Sequence, residues 1–218
     1  MTQAVLQQAP PARQCLRMSN VDWRTYSRLL RVFAERPGYR LTYDRGELEI
    51  MSPSIYHDND GWVLGRLVGV LTEEFGLPIR GGGSTTLRRR LRKRGVEPDE
   101  CFWITHAPQL AGVRRLDLRI HPPPDLAIEV DVTNSSLDRM GIYAALGVPE
   151  VWRLDGDVLT FHALNLDGVY RSIPASFLFA QVTPADMFPF LRDARQAANQ
   201  NEVIRRFREW VRQRRGGG

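Results

Sequence analysis

The sequence predicts an α/β fold, a mixed central sheet flanked by helices, and three observations carry that prediction. The stretch from Pro122 to Gly156, PPPDLAIEVDVTNSSLDRMGIYAALGVPEVWRLDG, reads as strand, tight turn, helix and strand. That is the order of a crossover unit, which buries its first strand in a sheet covered by the helix. YRLTYDRGELEIM places two strand-like runs around Asp44, Arg45 and Gly46, a hairpin signal. From Asp58 to Phe75, residues Val63, Leu64, Leu67, Leu71 and Phe75 recur at helical spacing.

Taken in chain order, residues 1–15 and 216–218 read as tails, which leaves residues 16–215 as a single expected domain. The segment from Val21 to Phe33 has helical spacing at Tyr26, Leu29, Leu30 and Phe33 and is closed by Arg-Pro-Gly. After the hairpin and the long helix, GLPIR and STTLRRR are expected strands on either side of three glycines, and DECFWI is another. HAPQLAGVRRLD reads as an irregular insertion before the crossover unit. In that unit the prolines 122–124 force an extended entry, TNSSLD supplies capping side chains, and Met140, Ile142, Tyr143 and Leu146 form a helix ended by Gly147. EVWRLDGDVLTFHAL and VYRSI read as a meander. The chain is expected to be helical from Pro184 onward, with Val203, Ile204, Phe207, Trp210 and Val211 forming an apolar stripe.

Composition is ordinary for a globular domain, 43% hydrophobic and 25% charged, but the formal net charge of +5 is unevenly placed. Six of the seven residues from Arg88 to Arg94 are basic, and RRFREWVRQRR near the end adds six arginines. Either run alone reads as a solvated face; two together point to a polyanion such as nucleic acid. Arg88, Arg89, Arg90, Arg92, Lys93 and Arg94 are the candidate nucleic-acid contacts. Of 30 basic residues only Lys93 is a lysine. Cys15 and Cys101 are too few for a disulfide framework or a thiolate metal site. With neither a secretory leader pattern nor a run of membrane-spanning length, a soluble cytoplasmic protein is expected.

The acidic content of the crossover strand is the least ordinary feature. Leu126, Ile128 and Val130 share one face, while Asp125, Ala127, Glu129 and Asp131 share the other. A half-exposed polar face accounts for such alternation, and so does a ligand site, because ligands of open α/β sheets gather at the carboxyl ends of strands. Pro98 and Asp99 open a strand thirty residues before Glu129. If the two strands are neighbours, their carboxylates approach and repel unless a cation or proton lies between them. With no His or Cys cluster to hold a softer metal, Mg²⁺ is the natural occupant.

The motifs GELEIMSPSIYHD, EPDECFWI, PPPDLAIEVDVTNSSLDR and IYAALGVPEVWRLDG fall in order across most of Leu41 to Gly156. In these the chain resembles the Uma2 family, also described as DUF820, a branch of the PD-(D/E)xK nuclease superfamily of restriction-endonuclease-like proteins. The resemblance implies a restriction-endonuclease-like core with a C-terminal meander and helix. It also implies an endonuclease that hydrolyses DNA phosphodiesters with Mg²⁺, or Mn²⁺ in its place. Asp99 matches the family's first metal-binding acid, Glu129 the acid of the second catalytic strand, and Arg139 the place of the lysine that precedes Tyr143. His57, after the MSP stretch, is a candidate proton carrier, with capping or packing as its other reading; Glu74 is a candidate helical ligand against a reading as exposed charge. A homodimer is expected if both strands of a duplex are cut.

The arginine departs from the family pattern in a way that matters chemically. A lysine can titrate when desolvated, whereas an arginine stays charged and can only orient groups and stabilise negative charge. Two outcomes remain open on this basis: catalysis with Arg139 orienting a metal-activated water, or a catalytically weakened nucleic-acid-binding protein on the same fold. A third reading, an interaction module with no nucleic-acid role, needs both arginine runs to be solvated faces.

Overall fold

The structure is a computed structural model that describes residues 15–34, 36, 38–52, 54–131, 137–180 and 182–216. The α/β arrangement is present, and its strands divide between two sheets. Residues 1–14, 217 and 218, predicted as tail, and the capping side chains of residues 133–136 lie outside the described residues. Two residues of the predicted tails do fall within elements. Cys15 opens β1 (Cys15–Met18), held by pairing with Met51, and Gly216 closes the last helix.

The first sheet is built on the predicted hairpin, β2 (Arg40–Asp44) and β3 (Glu47–Met51), whose turn has Arg45 and Gly46 at positive φ. A second hairpin, β5 (Leu87–Arg89) and β6 (Arg94–Val96), pairs with it through β2, in the order β1-β3-β2-β6-β5. Helix α1 (Trp23–Phe33) is capped by Asp22, whose carboxylate accepts from the Thr25 amide at 2.6 Å. It seals this sheet with Tyr26, fully buried and stacked on Tyr43 with ring centroids 4.6 Å apart.

The second sheet is mixed. It contains β4 (Arg80–Gly81), β7 (Glu100–Trp103), β8 (Leu126–Val130), β9 (Glu150–Asp155), β10 (Val158–Leu164) and β11 (Tyr170–Ile173) in the order β11-β10-β9-β8-β7-β4. β8 and β9 are parallel and joined by helix α3 (Arg139–Leu146), as a crossover requires; the other neighbours are antiparallel. GLPIR and STTLRRR therefore serve different sheets: only the end of the first becomes β4, and the second becomes β5.

Both faces of β8 are covered. Leu126, Ile128 and Val130 join the main core with Val63, Leu64 and Leu67 of α2 (Ile55–Phe75) and with residues of α4 (Pro184–Gln196) and α5 (Gln200–Gly216). Ala127 meets Ile142, Tyr143 and Leu146 of α3, together with Leu87, Val96 and Leu118. The crossover helix is thus clamped between the second sheet and the β5–β6 hairpin. Burial on both faces replaces the half-exposed strand that alternation alone would suggest, because Asp125 and Glu129 are each only 3% exposed. Among the described residues no helix is long and apolar enough to cross a membrane.

Candidate active site

Three carboxylates on one strand face meet three different fates. Asp125 is structural: one oxygen accepts from the amides of Ile104 (2.7 Å) and His106 (3.0 Å), and the other lies 2.5 Å from His106 Nδ1. It folds the chain leaving β7 back over β8. Asp131 is bound by Arg153, whose Nε donates to Oδ2 at 2.7 Å. Glu129, between them, is the centre of a buried cluster.

Asp99 reaches that cluster because β7 and β8 are neighbours. Its amide donates to the Ile128 carbonyl at 3.2 Å, and its Oδ2 accepts from the Val130 amide at 2.7 Å. Gly61 of α2 makes room for it, since a Cβ there would lie 3.3 Å from the Asp99 Cβ. Four residues earlier on that helix, His57 holds Nε2 2.7 Å from the Val130 carbonyl. A carbonyl only accepts, so Nε2 carries a proton, and Nδ1 faces Asp99 Oδ1 at 3.5 Å. His57 is 1% exposed and ties the start of α2 to the strand beside Asp99.

Helix α3 supplies the other half. Its cap is Asp138, whose Oδ1 accepts from the Gly141 amide at 2.9 Å, and it ends at Gly147, where φ is +82°. Arg139 and Tyr143 stand one turn apart, so both side chains leave the same face. The Arg139 guanidinium lies on Glu129, with Nε against Oε1 and Nη2 donating to Oε2 at 3.0 Å. Tyr143 donates its hydroxyl to the same Oε2 at 2.6 Å. Arg139 also donates to Thr42 Oγ1 at 2.6 Å and to the Glu97 carbonyl at 2.9 Å.

Electrically the cluster is short of positive charge. Burial pushes both Asp99 and Glu129 up to about 7; Arg139 pulls each back, and Asp99 pushes Glu129 further up. Burial opposes the charge on Arg139, but Glu129, Tyr143 and Asp99 together raise it above its ordinary value, so it remains a cation. Burial, followed by Glu129, raises Tyr143 well above the usual phenol range and keeps it a donor.

A small cavity of about 180 Å³ opens over Glu129, lined also by Asp131, Asp138, Arg139, Met140 and Arg153. The Arg139 side chain is 10% exposed and fully engaged, whereas that of Arg153 is 40% exposed at the mouth. Asp131 is the main cause holding Arg153 above its ordinary value.

The structure therefore brings together His57, Asp99, Glu129 and Arg139, all selected from sequence. It sets Glu74 apart: that residue ends α2, where Arg208 and Arg212 donate to its two oxygens at 2.8 and 2.9 Å. Of the basic run, Arg94 is consumed by Asp44 at 2.8 Å, and Arg90–Arg92 form a single 3₁₀ turn at the hairpin tip. Sequence reasoning missed Thr42, Glu97, the hydrogen-bonding role of Tyr143, and Arg153. The signal for Tyr143 was its spacing of four from Arg139. For Arg153 it was the parallel register that sets it opposite Glu129, which is visible only once β8 and β9 are aligned.

Donor chemistry fits a divalent cation of the hard, oxygen-binding type. Two neighbouring carboxylates lack enough positive charge, and Mg²⁺ is ordinarily held by one or two protein carboxylates with water or phosphate completing its shell. Among the described residues there is no group of three or more His, Cys, Asp or Glu side chains that could hold a metal by itself.

Fold and centre define a class: a mixed α/β protein in which the first strand of the crossover unit and its antiparallel neighbour bring together a buried pair of carboxylates, with one cationic side chain from the crossover helix. Residues 23–198 match the sequence pattern of the Uma2 family, described as "Putative restriction endonuclease", and the chain belongs to that family. A crystal structure from Anabaena variabilis ATCC 29413, described as a putative nuclease belonging to DUF820, is similar at 15% identity and a TM-score of 0.47. The match covers 69% of this chain and 90% of that one. No curated protein matches.

Proposed function

We propose that this protein is an endonuclease that hydrolyses DNA phosphodiester bonds with the help of Mg²⁺, for which Mn²⁺ can substitute. The observation that carries the reading is the pairing of Asp99 and Glu129, two buried carboxylates from adjacent strands, both pushed up to about 7. Asp99 and Glu129 are the residues that would hold the cation, which when bound supplies Lewis acidity and a more acidic water. Tyr143 and Arg139 hold Glu129 in one orientation, and the Val130 amide does the same for Asp99, with His57 packed beside it. Arg153, 40% exposed at the mouth of the cavity and engaged by Asp131 through Nε and Nη2 only, is the group able to reach a substrate phosphate, since Arg139 is buried. A DNA substrate goes with a cytoplasmic location, and a homodimer would bring two such centres to the two strands.

One observation favours a second reading, a nucleic-acid-binding protein with a weakened centre. The Arg139 guanidinium covers both oxygens of Glu129, so a cation must compete for them. Nicking of supercoiled plasmid separates the two. The endonuclease reading expects cleavage with Mg²⁺ or Mn²⁺, none with chelator, and none in Glu129→Gln. DNA binding without metal-dependent nicking would leave only the second reading.

A further inference from the structure

The two arginine runs end in opposite situations. Near the C-terminus, Arg195 pairs with Asp60 and Asp157, Arg206 with Asp193, Arg208 with Glu73 and Glu74, Arg212 with Glu74, and Arg214 with Asp186. Those pairs hold α5 to α4 and α2, and α4 to α2 and the β9–β10 turn. At the β5–β6 hairpin, by contrast, Arg88, Arg89 and Arg90 have no carboxylate partner among the described residues, and neither does Arg115 across from them.

These four residues all line one groove of about 500 Å³. One wall is the strand Arg88–Arg89 with Arg90; the other is the segment from Arg115 to His121, part of which sequence reading left as an irregular insertion. Arg119 is also there, but Asp117 neutralises it through paired contacts of 2.6 and 3.0 Å. Among the described residues the groove thus keeps roughly four uncompensated positive charges, and the Arg89 Nε is buried without a hydrogen-bond partner. Like charges gathered in a concave surface focus a field that only an anion relieves, and guanidinium forks match phosphate oxygens.

The groove also touches the catalytic cluster. Thr86 lines it and donates its hydroxyl to Glu97 Oε1 at 2.6 Å, and the Glu97 carbonyl accepts from Arg139. Trp23 adds an aromatic wall. Phosphates in a row, with flat bases between them, satisfy both features.

We infer that the groove between the β5–β6 hairpin and residues 115–121 seats a nucleic-acid strand by its phosphates, with Arg88, Arg89, Arg90 and Arg115 as the contacts. The inference rests on the nuclease reading and adds to it where the substrate is gripped. Binding of fluorescent oligonucleotides, single-stranded and duplex, measured with chelator between about 50 and about 200 mM salt, tests it. Arg90→Ala with Arg115→Ala should weaken binding at least tenfold at the lower salt and flatten the salt dependence by roughly 0.9 per lost contact on duplex, about 0.7 on single strands. Arg205→Ala, an exposed arginine on α5, is the control for net charge and should leave the slope unchanged. Melting curves must show each variant folded; a double variant that fails to fold is replaced by Arg115→Gln alone.

An unchanged slope in the groove variants, beside normal nicking by the parent, overturns the groove and leaves the nuclease reading standing. Equal losses in Arg205→Ala overturn it too, as does tighter binding to anionic vesicles than to oligonucleotides. A parent that binds no DNA removes both readings.

Discussion

Arg139 and Tyr143, one helical turn apart on α3, converge on a single oxygen of Glu129, at 3.0 and 2.6 Å. The carboxylate is therefore held by two donors from the helix that covers it, and its direction is set by α3 rather than by its own strand. Whatever Glu129 does chemically depends on the seating of that helix.

The first prediction concerns the cation on α3. Removing one partner of a buried ion pair leaves the other uncompensated, so Arg139→Ala should destabilise by about 3–5 kcal/mol in chemical denaturation and abolish nicking. Arg139→Lys keeps the charge, gives up the fork that spans Glu129, Thr42 and the Glu97 carbonyl, and frees room at Glu129. It should therefore be less stable than the parent yet equally or more active. A Lys variant as inactive as Ala would show that the arginine fork itself is required.

A second prediction is a pH signature. Asp99 and Glu129 rise from ordinary values of 3.8 and 4.5 to about 7 on folding, with burial as the leading cause. The folded state then keeps protons that the unfolded chain has released, so the stability these acids contribute is full below about pH 4 and is lost as pH rises toward about 7. In metal-free buffer, Asp99→Asn should match the parent near pH 4 and exceed it near pH 7.5, by about 4 kcal/mol. Mg²⁺ should raise the melting temperature of the parent and not of the variant. A difference that stays constant across this range would mean that Asp99 is ionised throughout.

Third, Arg153 and Asp131 are expected to act in opposite directions. The pair is half exposed and contributes about 1 kcal/mol or less to stability, so Arg153→Ala should melt close to the parent. If Arg153 contacts phosphate, the same variant should lose about tenfold or more in kcat/KM for nicking, while Asp131→Asn, which frees the guanidinium, should lower KM. Parallel losses in both variants would instead identify the pair as structural.

Much of this architecture was legible from local pattern. The hairpin at Gly46, the capped helix ending at Gly147 and the acidic strand all obey short-range rules, and the structure keeps them. Asp99 and Glu129 could be matched because each stands at a strand end within a recognisable motif. What stayed hidden depends on packing between distant segments. Thr42 and Glu97 meet Arg139 only because the first sheet leans on α3, and Arg115 faces Arg90 only because an irregular segment folds across the hairpin. The pairing of Arg208 and Arg212 was hidden for the same reason: their acids, Glu73 and Glu74, come from α2 far back in the chain.

Arg139 joins three separate pieces of the fold: Thr42 in the first sheet, the Glu97 carbonyl just beyond it, and Glu129 in the second. It works as a rivet through the seam between the sheets, with its head in the carboxylate centre. A cation that draws Glu129 away from the guanidinium would therefore also ease the grip on the sheet that carries the arginine hairpin. Loading the centre and adjusting the surface proposed to meet a polyanion would then be one mechanical event, and the stiffness of that event is set by a side chain with five donors where a lysine would have brought three.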